Sequence, residues 1–137
     1  MNIQWFLDYA FYSIVLAAFI AIFKIGKAAP AYLPFFIFIL LGFANEIVSF
    51  YTGRYFQNNS VNNNIYVLIE SLLLLWQFSR WRLFDNNRYL PQALGAAFIL
   101  FWFGEIFFFT SIMKVAAYFR VFYSFVIVLL SISMVNQ

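Results

Sequence analysis

The sequence predicts an all-α fold: an integral membrane bundle of five transmembrane helices, with its N-terminus outside and its C-terminus cytoplasmic. Residues 1–137 form a single domain in this reading. Three observations predict it. The chain is 66% hydrophobic and 9% charged, whereas a soluble domain carries about a quarter charged residues. Five stretches reach the ~20 mostly apolar residues that a helix needs to cross a bilayer. The basic residues gather at one set of connections, and basic loops stay in the cytoplasm. Barrels also satisfy the backbone in lipid, but their strands alternate apolar and polar residues. "FFIFILLGF" and "LIESLLLLW" do not alternate.

The first span is expected over residues 3–23, ending before Lys24, Gly26 and Lys27. It does not read as a cleavable signal, because it lacks a basic leading region and carries Asp8 early. The second, 32–53, is opened by Pro30 and Pro34. The third, 64–84, is entered from the polar run "QNNSVNNN" at 57–64, read as an exposed outer loop and helix cap. The fourth, 90–111, has Pro91 in its first turn, where a missing N–H does no harm. The fifth covers 115–135.

Orientation follows from charge. Lys24, Lys27, Arg80, Arg82 and Arg88 border the connections after spans one and three; only Arg54 and Lys114 border the others. Five against two puts the first set inside, in a multi-pass protein of the plasma or inner membrane. The same five residues form a rim suited to anionic lipid headgroups. The net charge of +3 does not point to nucleic acid, since its residues flank apolar spans. An odd number of spans and a chain that stops at Gln137 suit a truncated piece of a longer protein or a unit that docks on a second copy or a membrane-protein partner.

The chain has no cysteine and no histidine. Disulfides, thiolate and imidazole metal sites and the usual nucleophile–base pairs are therefore excluded. Any bound metal would be a hard cation held by oxygen; no other cofactor is indicated beyond a cation or a proton.

In the predicted topology each span carries one charged group in its outer half: Asp8, Glu46, Glu70, Glu105 and Arg120. Only Asp85, of five acids, lies elsewhere. A charged side chain in mid-membrane costs at least ~2.5–3.5 kcal/mol. Four ionised acids beside one arginine would leave an excess of negative charge in a poor dielectric. They are expected to share protons, water or a cation. Tyr12, Tyr66 and Tyr123 lie deep enough to hydrogen-bond a carboxylate, and Asn45 neighbours Glu46.

These residues predict a ligand- or ion-binding site. Glu70 and Glu105 would be its central pair, with Glu46 completing a seat for a hard cation, Arg120 as counter-ion and Asp8 at the rim. The first functional expectation is a sensor or accessory subunit of a membrane complex that binds a cation or small ligand. The alternative is a proton- or cation-conducting channel or transporter, formed by an oligomer. An enzyme is the least favoured: no catalytic residues are assigned, and Asp8 and Asp85 fall on opposite sides. A purely structural use of the buried acids, knitting helices together, accounts for any one of them alone.

Overall fold

The computed structural model describes the backbone of residues 3–85 and 87–136, and side chains of 12–85 and 87–136. Among the described residues it is 83% helix and contains no strand. There are five helices: α1 (Ile3–Lys24), α2 (Leu33–Phe56), α3 (Ser60–Arg80), α4 (Leu90–Gly104) and α5 (Ala117–Val135). A π-helical turn, Glu105–Phe109, continues α4.

Among the described residues, three stretches are long and apolar enough to cross a membrane: Pro30–Phe56, Leu90–Phe109 and Ala117–Val135. Helix α3 is long enough but more polar, because Asn62, Asn63, Asn64, Glu70 and Gln77 interrupt its apolar run. It also sits four residues earlier than the expected 64–84. Five of the eight residues of the asparagine-rich run, Ser60 to Asn64, thus belong to the helix rather than to a loop.

Local chemistry sets the helix ends. Proline occupies the first turns of α2 and α4, where the four leading N–H groups have no helical acceptor anyway. Gln57 ends α2 in the left-handed region at φ 52°. Helix α3 ends in a Schellman motif. The Leu83 N–H donates to the Phe78 carbonyl and the Arg82 N–H to that of Ser79. Arg82 takes the left-handed position, φ 65°, usually given to glycine. This closure turns the chain four residues before the expected end.

Helix α3 is the hub. It packs on α2, α4 and α5, while α1 packs on α2. Its buried face runs Asn64, Val67, Ser71, Leu75 and Phe78, the spacing of one helical stripe. Against this face lie Phe98 and Trp102 of α4 and Phe119 of α5. The Phe98 and Phe119 rings are fully buried and meet edge to face at 6.2 Å between centroids, a favoured aromatic geometry.

The outside is apolar. Phe107, Phe108 and Phe109 are each more than 70% exposed, and α5 buries only Phe119. An exterior this apolar, around a core that is itself mostly apolar, suits lipid.

Two side chains pin α3 at its ends. Gln77 donates its Nε2–H to the Ala31 carbonyl at 2.8 Å, tying α3 to the α1–α2 connection. Asn64 ties the other end to the α4–α5 connection. The molecule therefore has a basic end, near residues 24–32 and 80–89, and an asparagine end, near 57–64 and 110–116.

Candidate functional site

Glu105 sits where α4 changes pitch. The Thr110 N–H reaches back five residues to the Glu105 carbonyl at 2.8 Å, forming the π turn. The side chain is 3% exposed. Its Oε1 accepts the Tyr118 N–H at 3.1 Å and its Oε2 the Phe119 N–H at 2.5 Å. These are among the first amides of α5, whose own cap residue is Ala116, with nothing to offer them. Glu105 is thus the N-cap of α5, supplied from another helix. A carboxylate there satisfies orphan donors and meets the positive end of the helix dipole. An apolar cleft of 480 Å³, lined by Phe101, Gly104, Phe109 and Tyr118, lies beside it.

The other central acid has different company. Glu70 is partly buried on α3, and the Tyr123 hydroxyl of α5 donates to its Oε2 at 3.3 Å. Arg120, one turn earlier on α5, acts on it electrostatically. The guanidinium donates from Nη2 to the Asn63 carbonyl at 3.5 Å, and its Nε is buried without a partner. Tyr66, one turn before Glu70, feels the charges of Glu70 and Glu46 and neighbours Tyr123. Glu46 itself is exposed on α2.

Close packing holds this group together. A methyl group at Gly42 would lie 3.7 Å from the Tyr66 hydroxyl and 3.5 Å from Ile14. Only a small residue there lets α1 and α3 approach α2 so closely. Glu46 lies ten residues from the end of α2 and Glu70 ten from the start of α3. At 1.5 Å per residue both sit about 15 Å from the asparagine end of their helices, so they are level with each other.

The structure therefore pairs Glu70 with Tyr123, with Tyr66 and Arg120 one turn away on the same two helices and Glu46 at the same level on α2. Glu70 and Glu105, expected as a central pair, take different hydrogen-bond partners: Tyr123 for the one, the first amides of α5 for the other. The expected hard-cation seat of Glu46, Glu70 and Glu105 is corrected: among the described residues no group of three or more acids could hold a metal ion. Asn45 joins a different set. Its Oδ1 accepts from Asn62 Nδ2 at 2.8 Å, and the same nitrogen donates to Ser49 Oγ at 3.0 Å. Thr52 donates to Asn59 Oδ1 at 2.6 Å. These contacts stitch α2 to α3. Tyr12 is 68% exposed on α1. The side chain of Asp8 lies outside the described residues.

Asn64 was missed as a key residue. It is fully buried. Its Nδ2 donates to the carbonyls of Ile112 at 3.1 Å and Lys114 at 2.7 Å, and its Oδ1 accepts the Ala116 N–H at 3.0 Å. Its own carbonyl accepts the Trp102 indole N–H at 3.0 Å. One side chain thus orders the whole α4–α5 connection. The signal was present: Asn64 falls three, seven and eleven residues before Val67, Ser71 and Leu75, the same helical face.

Chemically, the α2–α3–α5 cluster holds two carboxylates, one guanidinium and two phenols. If all its acids are ionised it carries one excess negative charge. That suits a proton, a monovalent cation or an ammonium group, with tyrosine oxygens as further acceptors. No family model, no characterised protein and no solved structure matches the chain.

Proposed function

We propose that the chain is a multi-pass protein of the plasma or inner membrane. In this reading α1 and α3 complete a set of five spans, with the N-terminus outside and the basic end cytoplasmic. Its function is to bind a proton, a monovalent cation or a small cationic ligand at Glu70 and Glu46. Arg120 holds the local charge, and Tyr66 and Tyr123 supply oxygens. Asp8 belongs to the rim. The protein then acts as a sensor or as an accessory subunit, paired with a second copy or a membrane partner.

The observation that carries this reading is the setting of Glu70, a partly buried acid with the Tyr123 hydroxyl at 3.3 Å and Arg120 one turn before that tyrosine on α5. An ionisable residue inside a membrane is a functional-site hypothesis by default. A ligand that binds only the folded state raises its stability. Sodium, potassium and methylammonium should each be titrated against purified protein while the unfolding midpoint is followed. At least one should raise it for the wild type and not for Glu70→Gln. An equal response in both proteins would sink the proposal.

One observation favours conduction as a second reading. Gln77 lies seven residues beyond Glu70 on α3, and its Oε1 is buried without a partner. It offers a polar step toward the basic end. Proton and cation flux into liposomes, lost in Glu70→Gln, would select conduction by an oligomer; binding without flux would select the sensor.

A further inference from the structure

At the basic end, away from the acidic cluster, a groove runs between α3 and α4. Its inner part, 380 Å³, is walled mostly by apolar groups, Leu72, Leu75, Trp76, Pro91 and Gly95, with Ser79, Gln92 and Arg88 also on its lining. Its mouth is a second hollow of 470 Å³ that holds Asp85 and Arg88. The two hollows share Ser79, Arg88 and Pro91, so they are one continuous depression. Each falls in the ~300–1,000 Å³ range of small-molecule sites.

We propose that this groove binds one glycerophospholipid whose phosphate carries a primary amine. An acyl chain lies along Leu72, Leu75 and Gly95, Arg88 holds the phosphate, and Asp85 accepts the ammonium group. The division of the groove argues for a lipid rather than free phosphate, since the apolar part needs an occupant of its own. The charges argue for the headgroup. A purely anionic lipid would meet Arg88 but also Asp85, which repels it. A headgroup with a phosphate and an N–H-bearing cation satisfies both. Arg80 stacks over the Trp76 ring, 5.8 Å from its centroid, adding positive charge beside the mouth.

Gly95 gives the test its handle. A methyl group there would sit 3.6 Å from Leu75 Cδ2, an ordinary contact. Anything larger must push into the groove. The protein should be incorporated into bilayers holding equal parts of ethanolamine, choline and glycerol phospholipids, extracted gently, and weighed with its bound lipids by native mass spectrometry. The wild type should retain one ethanolamine lipid in preference to the other two by about tenfold, the effect of one charge-assisted bond of ~1.4 kcal/mol. Asp85→Asn should erase the preference over choline while lipid is still retained. Arg88→Gln should lower retention of all three. Gly95→Leu should lower it too, and Gly95→Ala should not, which separates a filled groove from a misfolded protein. Folded wild-type protein that carries no lipid, or prefers the glycerol headgroup, would overturn the proposal. So would Gly95→Leu protein that retains lipid as the wild type does.

Discussion

Glu105 and Phe119 are joined across the α4–α5 connection: the acid's Oε2 accepts the phenylalanine's amide N–H at 2.5 Å, inside a site that is almost fully buried. The bond answers why an acid stands in the phenylalanine-rich stretch around residue 105. It serves the start of α5. Glu105→Gln keeps the shape but loses the charge facing the helix dipole and sets an NH2 donor against one of the two amide N–H groups, and should destabilise by about 1–3 kcal/mol. Glu105→Ala leaves buried N–H groups without acceptors and should destabilise by about 2–4 kcal/mol. Denaturant titration checks the energies. Hydrogen exchange checks the place: the Tyr118 and Phe119 amides should exchange faster, and unchanged exchange there would refute the cap.

Asn64 makes three side-chain hydrogen bonds in a fully buried position. Asn64→Ala should destabilise by about 2–4 kcal/mol, since two carbonyls and one amide lose their partner together. Asn64→Asp should be worse, because it removes both donors and sets a carboxylate against two carbonyl oxygens. Asn63→Ala, one position away and off that face, should stay within about 0.5 kcal/mol. The same unfolding titration distinguishes the three, and similar losses at 63 and 64 would contradict the anchor.

The Tyr123–Glu70 bond is long for a hydroxyl donor, at 3.3 Å. Tyr123→Phe should therefore change stability by no more than about 0.5–1 kcal/mol. If the cluster binds a cation, the same substitution should weaken that binding, though less than Glu70→Gln does. Cation-dependent shifts of the unfolding midpoint, compared across the two variants, measure this; a Tyr123→Phe protein that binds as the wild type does would remove the phenol from the site.

Gln57 ends α2 in a left-handed conformation and its side chain is exposed. That region disfavours residues with a Cβ by roughly 1–2 kcal/mol, and glycine adopts it freely. Gln57→Gly should raise stability by about 0.5–1 kcal/mol, and Gln57→Val should lower it. A thermal midpoint that falls in the glycine variant would contradict the assigned cap.

Composition and hydropathy were enough to read an all-helical chain with an apolar exterior. The prolines at 30, 34 and 91 were enough to place the starts of α2 and α4. Helix ends were harder. Nothing local announces that Arg82 takes a glycine-like conformation, so the end of α3 was read four residues late. The polar face of α3 was legible in its spacing but hidden by its neighbours, because Asn64 resembles the asparagines beside it until its burial is known.

The sequence by itself determined that Glu46, Glu70 and Glu105 lie in helices with few other charges; any of them that is buried must find a partner, since an unpaired buried charge is too costly to leave. Which partner each acid takes was decided only by the tertiary structure. A carboxylate binds whatever donor the fold brings within about 3 Å. The π turn at Glu105 aims that acid at the amides of α5, while the packing of α5 on α3 gives Glu70 to Tyr123 and Arg120. Position along a helix sets depth, and the sequence records it; direction around the axis and contact across helices come from packing.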